Sequence, residues 1–152
     1  MPDLYEYVHT PERDEKYAMP YTPGIKITGG CIVYLAGVTA APVYHSHPHV
    51  PEEFDGIPLD PKEQAAMAVE NLRRSVVAAG GEGLQDVVEM TLYTVDTATN
   101  QGAIGAAIRE AMGDHRPAST SVEIVRLATD PRLILEIKAV AVVRQQGTPL
   151  SR

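Results

Sequence analysis

Three stretches of this chain carry side chains that can do chemistry. The first is Tyr44-His-Ser-His-Pro-His49, followed by Glu52, Glu53 and Asp55. Imidazoles at i, i+2 and i+4 on an extended run share a face and can ligate a divalent metal, but Pro48 breaks the alternation. Histidines beside carboxylates can also relay protons near neutral pH. The plain reading is a solvated polar loop. Gating or selecting a substrate is the second reading, and metal ligation the third, so no metal and no cofactor is expected. The second stretch is Glu136, flanked by Leu135 and Ile137. A carboxyl partly desolvated in a cleft has a raised pKa suited to acid–base work, whereas an exposed or ion-paired strand Glu has no such task. The third is Ser119-Thr120-Ser121, whose neutral hydroxyls offer single hydrogen bonds.

The elements that must position these groups follow from periodicity and turn residues. Residues 4–8 alternate and fit an edge strand. Ile25-Lys-Ile27 and Cys31-Ile-Val-Tyr-Leu-Ala36 flank Thr28-Gly-Gly30 and read as a β-hairpin. Residues 38–59 hold Pro42, Pro48, Pro51 and Pro58 and read as a long Pro/His-rich loop. Asp60-Pro-Lys-Glu63 opens a helix by capping pattern, Ala65, Val69, Leu72 and Val76 form its buried stripe, and Gly80-Gly81 ends it. A strand covers residues 86–95. A second helix runs from about Asn100 to Met112, with Ala103, Ile104, Ala107, Ile108 and Ala111 inward. Strands at residues 121–127 and 133–143 close the chain around an Asp130-Pro131 turn. The order predicts a single α+β domain over residues 1–152, irregular to about residue 18, with both helices on one sheet face. The last strand is apolar on both sides, so the second sheet face needs cover too.

Bulk properties narrow the function classes. The chain has 152 residues, 44% of them apolar, and a formal net charge of -7. That balance argues against a nucleic-acid partner, which needs clustered Lys and Arg. No apolar run approaches the ~20 residues of a membrane span, and the N-terminus lacks a signal pattern. Cys31 is the only cysteine, so no internal disulfide can form. A cytoplasmic protein is expected. With no Trp and one Phe, small residues do much of the packing, and such a domain often completes its burial by oligomerising.

Several segments, in order, resemble the RidA/YjgF family of reactive-intermediate (enamine/imine) deaminases. They are Pro20-Tyr-Thr-Pro-Gly-Ile-Lys-Ile27, Ile32-Val-Tyr-Leu-Ala-Gly37, Glu70-Asn-Leu72 with Ala78-Ala-Gly80, Asp86-Val-Val-Glu-Met-Thr-Leu-Tyr-Thr-Val-Asp96, Arg116-Pro-Ala-Ser-Thr-Ser-Val-Glu-Ile124 and Leu135-Glu-Ile-Lys-Ala-Val-Ala141. The resemblance spans about residues 18–143. It implies a chorismate-mutase-like α+β subunit, a single sheet backed by two helices. Three subunits would form a homotrimeric barrel with a cleft at each interface. The implied activity is hydrolytic deamination of a small enamine, imine or conjugated carbonyl metabolite; a non-catalytic metabolite-binding or chaperone-like trimer is the alternative.

The resemblance also assigns residues. Glu136 matches the family's water-positioning or proton-shuttling Glu. Tyr21, Gly37 (through its backbone), Val38, Ser119, Thr120 and Ser121 match positions that line the substrate cleft. Ser119 stands where the family signature Pro-Ala-Arg-Ser-x-Val-Glu-Val carries the Arg that pairs with the substrate carboxylate. A hydroxyl cannot replace that bidentate, charge-assisted contact, so low activity on simple 2-imino acids follows. A cation from elsewhere, such as Arg73, Arg116 or a loop His, would restore carboxylate binding by another route. The family's second Glu is Lys138 here, and the cleft-facing Asn of its second helix falls nearest Ile104 or Gly105.

Overall fold

The computed structural model describes residues 3–145. Along the chain come β1 (Tyr5–Val8), β2 (Gly24–Ile27), β3 (Cys31–Val38), α1 (Pro61–Ala78), β4 (Val87–Val95), α2 (Thr97–Met112), β5 (Ala118–Ile124) and β6 (Leu135–Val143), with short 3-10 turns at Pro51–Phe54 and Leu84–Asp86. The main sheet has the order β3-β6-β4-β5, and β1 pairs with β2 in a separate two-stranded ribbon. Among the described strands only β4 and β5 run parallel, because α2 is the crossover that returns the chain in the same direction.

Helix α1 starts where its capping residues place it. Asp60 accepts the Glu63 backbone N–H at 2.9 Å, Pro61 opens the first turn, and Gly80 leaves at φ +91°. Helix α2 begins three residues before the expected Asn100, because Asp96 caps it by accepting from Thr99 N–H. The β-branched Thr97 and Thr99 hid that start, since they are weak helix formers. The buried stripe of α2 runs through Ile104, Ala107, Ile108 and Met112. Ala111, expected in that stripe, is exposed, because i+4 steps from Ile104 bring Met112 over the sheet instead.

The main core lies between the two helices and one face of the sheet. Leu72 and Val76 meet Leu135, Ile137, Ala139 and Ala141 there. Each fully buried Leu or Ile contributes about 1.5–3 kcal/mol. A smaller cluster joins Phe54, Ile57, Leu127 and Leu133 to Tyr93 and Ile124. It covers one end of the opposite sheet face, so part of the Pro-rich loop is packed.

The expected hairpin across Thr28-Gly29-Gly30 does not form. β2 pairs with β1, Tyr5 opposite Ile27, and β3 pairs with β6 from Cys31↔Val143 to Leu35↔Ala139. Gly30, at φ +82°, redirects the chain between the two. The longer apolar partner offered by β6 outcompetes the local turn. β5 starts earlier than expected, directly after Pro117, and frees Leu127 for the smaller core. β6 starts at Leu135, with Leu133 taken into the preceding turn by its N–H bond to Asp130 O at 3.2 Å.

One buried amide ties these parts together. Gln64 Nε2 donates to Pro58 O at 2.9 Å and to Arg132 O at 3.1 Å, and its Oε1 accepts from Ile134 N–H at 2.6 Å. Away from the loop, the second sheet face stays open: Tyr34 is 78% and Ile32 50% exposed, and Lys138 also faces solvent.

Candidate active site

Alternation along β6 decides where Glu136 points. Leu135, Ile137 and Ala139 enter the main core, so Glu136 and Lys138 project from the opposite, open face. Glu136 lies across from Tyr93 of β4 and beside the irregular end of β3, where the register slips between Leu35 and Val38. The Glu136 side chain occupies the space beside Gly37. A Cβ on Gly37 would lie 2.8 Å from the Glu136 carboxyl carbon and 3.0 Å from its Cγ. Among the described residues Glu136 makes no hydrogen bond or ion pair. It is a half-buried carboxylate with both oxygens available. Val38 turns its side chain into the main core, so it can offer a ligand only its backbone.

Ser119 and Ser121 point the other way. Their register partners on β4 are Met90 and Leu92, and Met90 belongs to the helix-side core. Both serines line a cavity of about 360 Å³ between β5, β4 and α2, together with Tyr21. The Tyr21 segment is tied to the strand by Thr22 N–H, which donates to Pro117 O at 3.3 Å. Thr120, opposite Thr91 and hence Lys138, faces the Glu136 side. The sequence-predicted residues therefore fall into two groups separated by the thickness of the sheet. Tyr21, Ser119 and Ser121 form one, and Gly37, Thr120 and Glu136 the other.

The serine cavity is electropositive. Arg109 and Arg116 both line it. Arg116 donates from Nη1 to the carbonyls of Gly113 and His115, which fixes the guanidinium at the end of α2. Arg109 makes no hydrogen bond or ion pair among the described residues, and its Nη1 passes over Gly105, where a Cβ would be 3.3 Å away. Of the expected substitute cations, Arg116 is in place. Arg73 instead bridges Glu70 on α1 at 2.7 Å. Arg109 went unforeseen, although it follows Gly105 by one helical turn.

His115 forms the floor behind this cavity. Its Nε2–H donates to Val87 O at 2.6 Å and its Nδ1 accepts from Tyr7 OH at 2.7 Å. Burial, reinforced by the charge of Arg116, lowers its pKa below the usual 6.5. Tyr5, which donates to Gln85 O at 2.8 Å, has its pKa raised, first by burial and then by Tyr7. These contacts dock the β1–β2 ribbon against the end of β4.

The histidine loop folds in a way that Pro48 did not foretell. The rings of His45, His47 and His49 lie with centroids 4.8–5.1 Å apart.

Comparison with known proteins bears on the same residues. The family model described as Endoribonuclease L-PSP matches residues 13–143. A RutC family protein of Pyrococcus abyssi is 29% identical over 130 residues, 86% of this chain and 91% of the relative. The structure of Escherichia coli TdcF with bound serine is 28% identical, with a TM-score of 0.60, covering 83% of this chain and 90% of that one. The Rid family protein YyfB of Yersinia pestis shares the fold at a TM-score of 0.74 and 21% identity, covering 93% of this chain and all of that one. The match takes in both the strand that bears Glu136 and the one that bears Ser119, and it places this chain in the RidA/YjgF family.

Proposed function

We propose that this protein is a homotrimeric RidA-like enzyme that hydrolyses a small, carboxylate-bearing enamine or imine. The observation that carries the reading is the division of the site: an unpaired carboxylate over Gly37 on one sheet face, and a cationic, hydroxyl-lined cavity on the other. Neither half alone can bind and protonate a substrate. A trimer with clefts at its interfaces brings the Glu136 half of one subunit to the Ser119 half of the next, and it covers Ile32, Tyr34 and the rest of the open face.

In such a cleft the carboxylate of Glu136 takes a proton from water as the oxygen adds to the C=N carbon. That proton passes to nitrogen to give a carbinolamine; Glu136 then moves the hydroxyl proton to nitrogen, the C–N bond breaks as the C=O bond forms, and ammonia leaves a carbonyl product. Arg109, with Arg116 behind it, replaces the signature Arg as the carboxylate anchor. It reaches in from α2 rather than from β5, so the preferred substrate is larger than the simplest 2-imino acids. TdcF, which carries a provisional name as a reactive intermediate deaminase, was solved with bound serine, and an amino acid presents the same carboxylate. RNA is a poor fit to a chain of net charge -7.

The test is hydrolysis of a panel of 2-imino acids, generated in situ from amino acids of increasing side-chain size. Glu136→Ala abolishes turnover and leaves the trimer intact in sedimentation. Arg109→Ala raises KM at least tenfold. Turnover that is unchanged in Glu136→Ala overturns the role given to Glu136, and no turnover of any imine by the unaltered protein leaves a metabolite-binding trimer instead.

A further inference from the structure

We propose that His45, His47 and His49 form a binding site for a divalent transition metal of the zinc type, independent of the Glu136 and Ser119 half-sites. Each residue offers one ring nitrogen, and the three ligand atoms lie within 4.8 Å of one another. Ligand atoms around a tetrahedral ion with 2.0–2.1 Å bonds sit about 3.4 Å apart. Small inward rotations of the rings close that difference.

The surroundings favour ligation over a plain solvated loop. The Nδ1–H of His45 donates to Pro42 O at 2.8 Å, which fixes the tautomer and leaves the lone pair on Nε2. A carbonyl partner of this kind is the usual support behind a metal-bound histidine. Among the described residues neither ring nitrogen of His47 or His49 has a hydrogen-bond partner. Phe54, 1% exposed, stands edge-on beneath His45 at 5.1 Å and His49 at 5.8 Å.

The loop that carries the rings is pinned at both ends. Ser46 donates its N–H and its hydroxyl to the Glu53 carboxylate at 2.7 and 2.6 Å. Arg132 reaches over from the turn before β6 to Asp55 at 2.8 Å and Pro51 O at 2.9 Å. Glu53 adds negative charge that suits a dication. Neutral imidazoles select zinc, copper or nickel over magnesium or calcium. Three protein ligands leave a fourth position, which water takes on the solvent side of the exposed His47.

The experiment uses the full chain, made without a histidine tag and stripped with a chelator. Titration with zinc chloride gives one ion bound per chain with a Kd below about 1 μM, cobalt(II) gives the visible absorption of a low-symmetry four-coordinate site, and magnesium gives neither. His47→Ala and His49→Ala each weaken zinc at least tenfold, whereas His9→Ala leaves it unchanged. Circular dichroism confirms that the variants fold. No stoichiometric zinc binding, or binding that survives the combined His45, His47 and His49 alanine variant, overturns the proposal; the second result assigns the ion to another ligand such as the exposed Cys31.

Discussion

Glu136 rests on Gly37, its carboxyl carbon where only 2.8 Å would separate it from a side chain on that glycine. The glycine is not required by its backbone angles, since it is absent from the positive-φ residues. What it provides is room: the carboxylate lies across the end of β3 because nothing projects there.

Gly37→Ala is therefore expected to leave the fold standing and to swing Glu136 away. Displacing a catalytic group by about 1 Å costs on the order of 10²-fold in rate. Steady-state kinetics on whichever imine proves best in the panel checks this, with the loss in kcat rather than KM. Equal loss in both would place Gly37 in substrate binding instead.

Ser119→Arg restores the signature cation on the helix-side face of β5. Its guanidinium would enter the cavity that Tyr21 and Ser121 line and hold a short carboxylate in bidentate fashion. Turnover of the smallest 2-imino acids should rise at least tenfold, while that of larger ones falls as the cavity fills. The ratio of kcat/KM values for small and large substrates is the measurement.

His115 links stability to pH. Its folded pKa lies below 6.5 because of burial, so the unfolded chain binds the proton more readily. The contribution is complete above pH 6.5 and is lost as pH falls from there towards the folded value. Protonation also turns Nδ1 into a donor and breaks its acceptance from Tyr7 OH. The thermal midpoint should fall between pH 7 and pH 5, and His115→Phe should flatten that slope while lowering stability at pH 7 by about 1–3 kcal/mol through the unpaired Val87 carbonyl.

Gln64→Ala strands three partly buried backbone groups: the carbonyls of Pro58 and Arg132 and the Ile134 N–H. The expected cost is ~2–4 kcal/mol, read as a lowered urea midpoint with little change in slope. A value under 0.5 kcal/mol would mean that water replaces the amide at this junction.

Local signals in the sequence carried much of the architecture. The Asp60-Pro61 cap, the Val69/Leu72/Val76 stripe and the alternation through β4 and β6 each express a rule that acts over a few residues, and each holds in the structure. The β2–β3 hairpin failed because a strand more than a hundred residues away made a better partner for β3. The start of α2 was masked by threonines whose low helix propensity Asp96 overcomes. Within the site, the motif series named Glu136, Gly37, Ser119 and Tyr21, and strand parity could have shown that Glu136 and Ser119 emerge on opposite faces. Arg109 could not be weighed until α2 was seen to share a cavity with β5. The meeting of three histidines across Pro48 depends on Phe54 and Arg132, which no spacing rule connects to them.

A sheet that holds Ser119 on one side and Glu136 on the other acts as a partition, and any activity that needs both must be a collective property of more than one chain. Under the trimer reading, an inactive Glu136→Ala protein and an Arg109→Ala protein of raised KM, unfolded together and reassembled, would regain clefts of normal KM and turnover. About a quarter of the clefts in an equal mixture would inherit one sound half from each parent. Specific activity would likewise decline on dilution, so that the amount of this protein, as well as its sequence, sets whether it works at all.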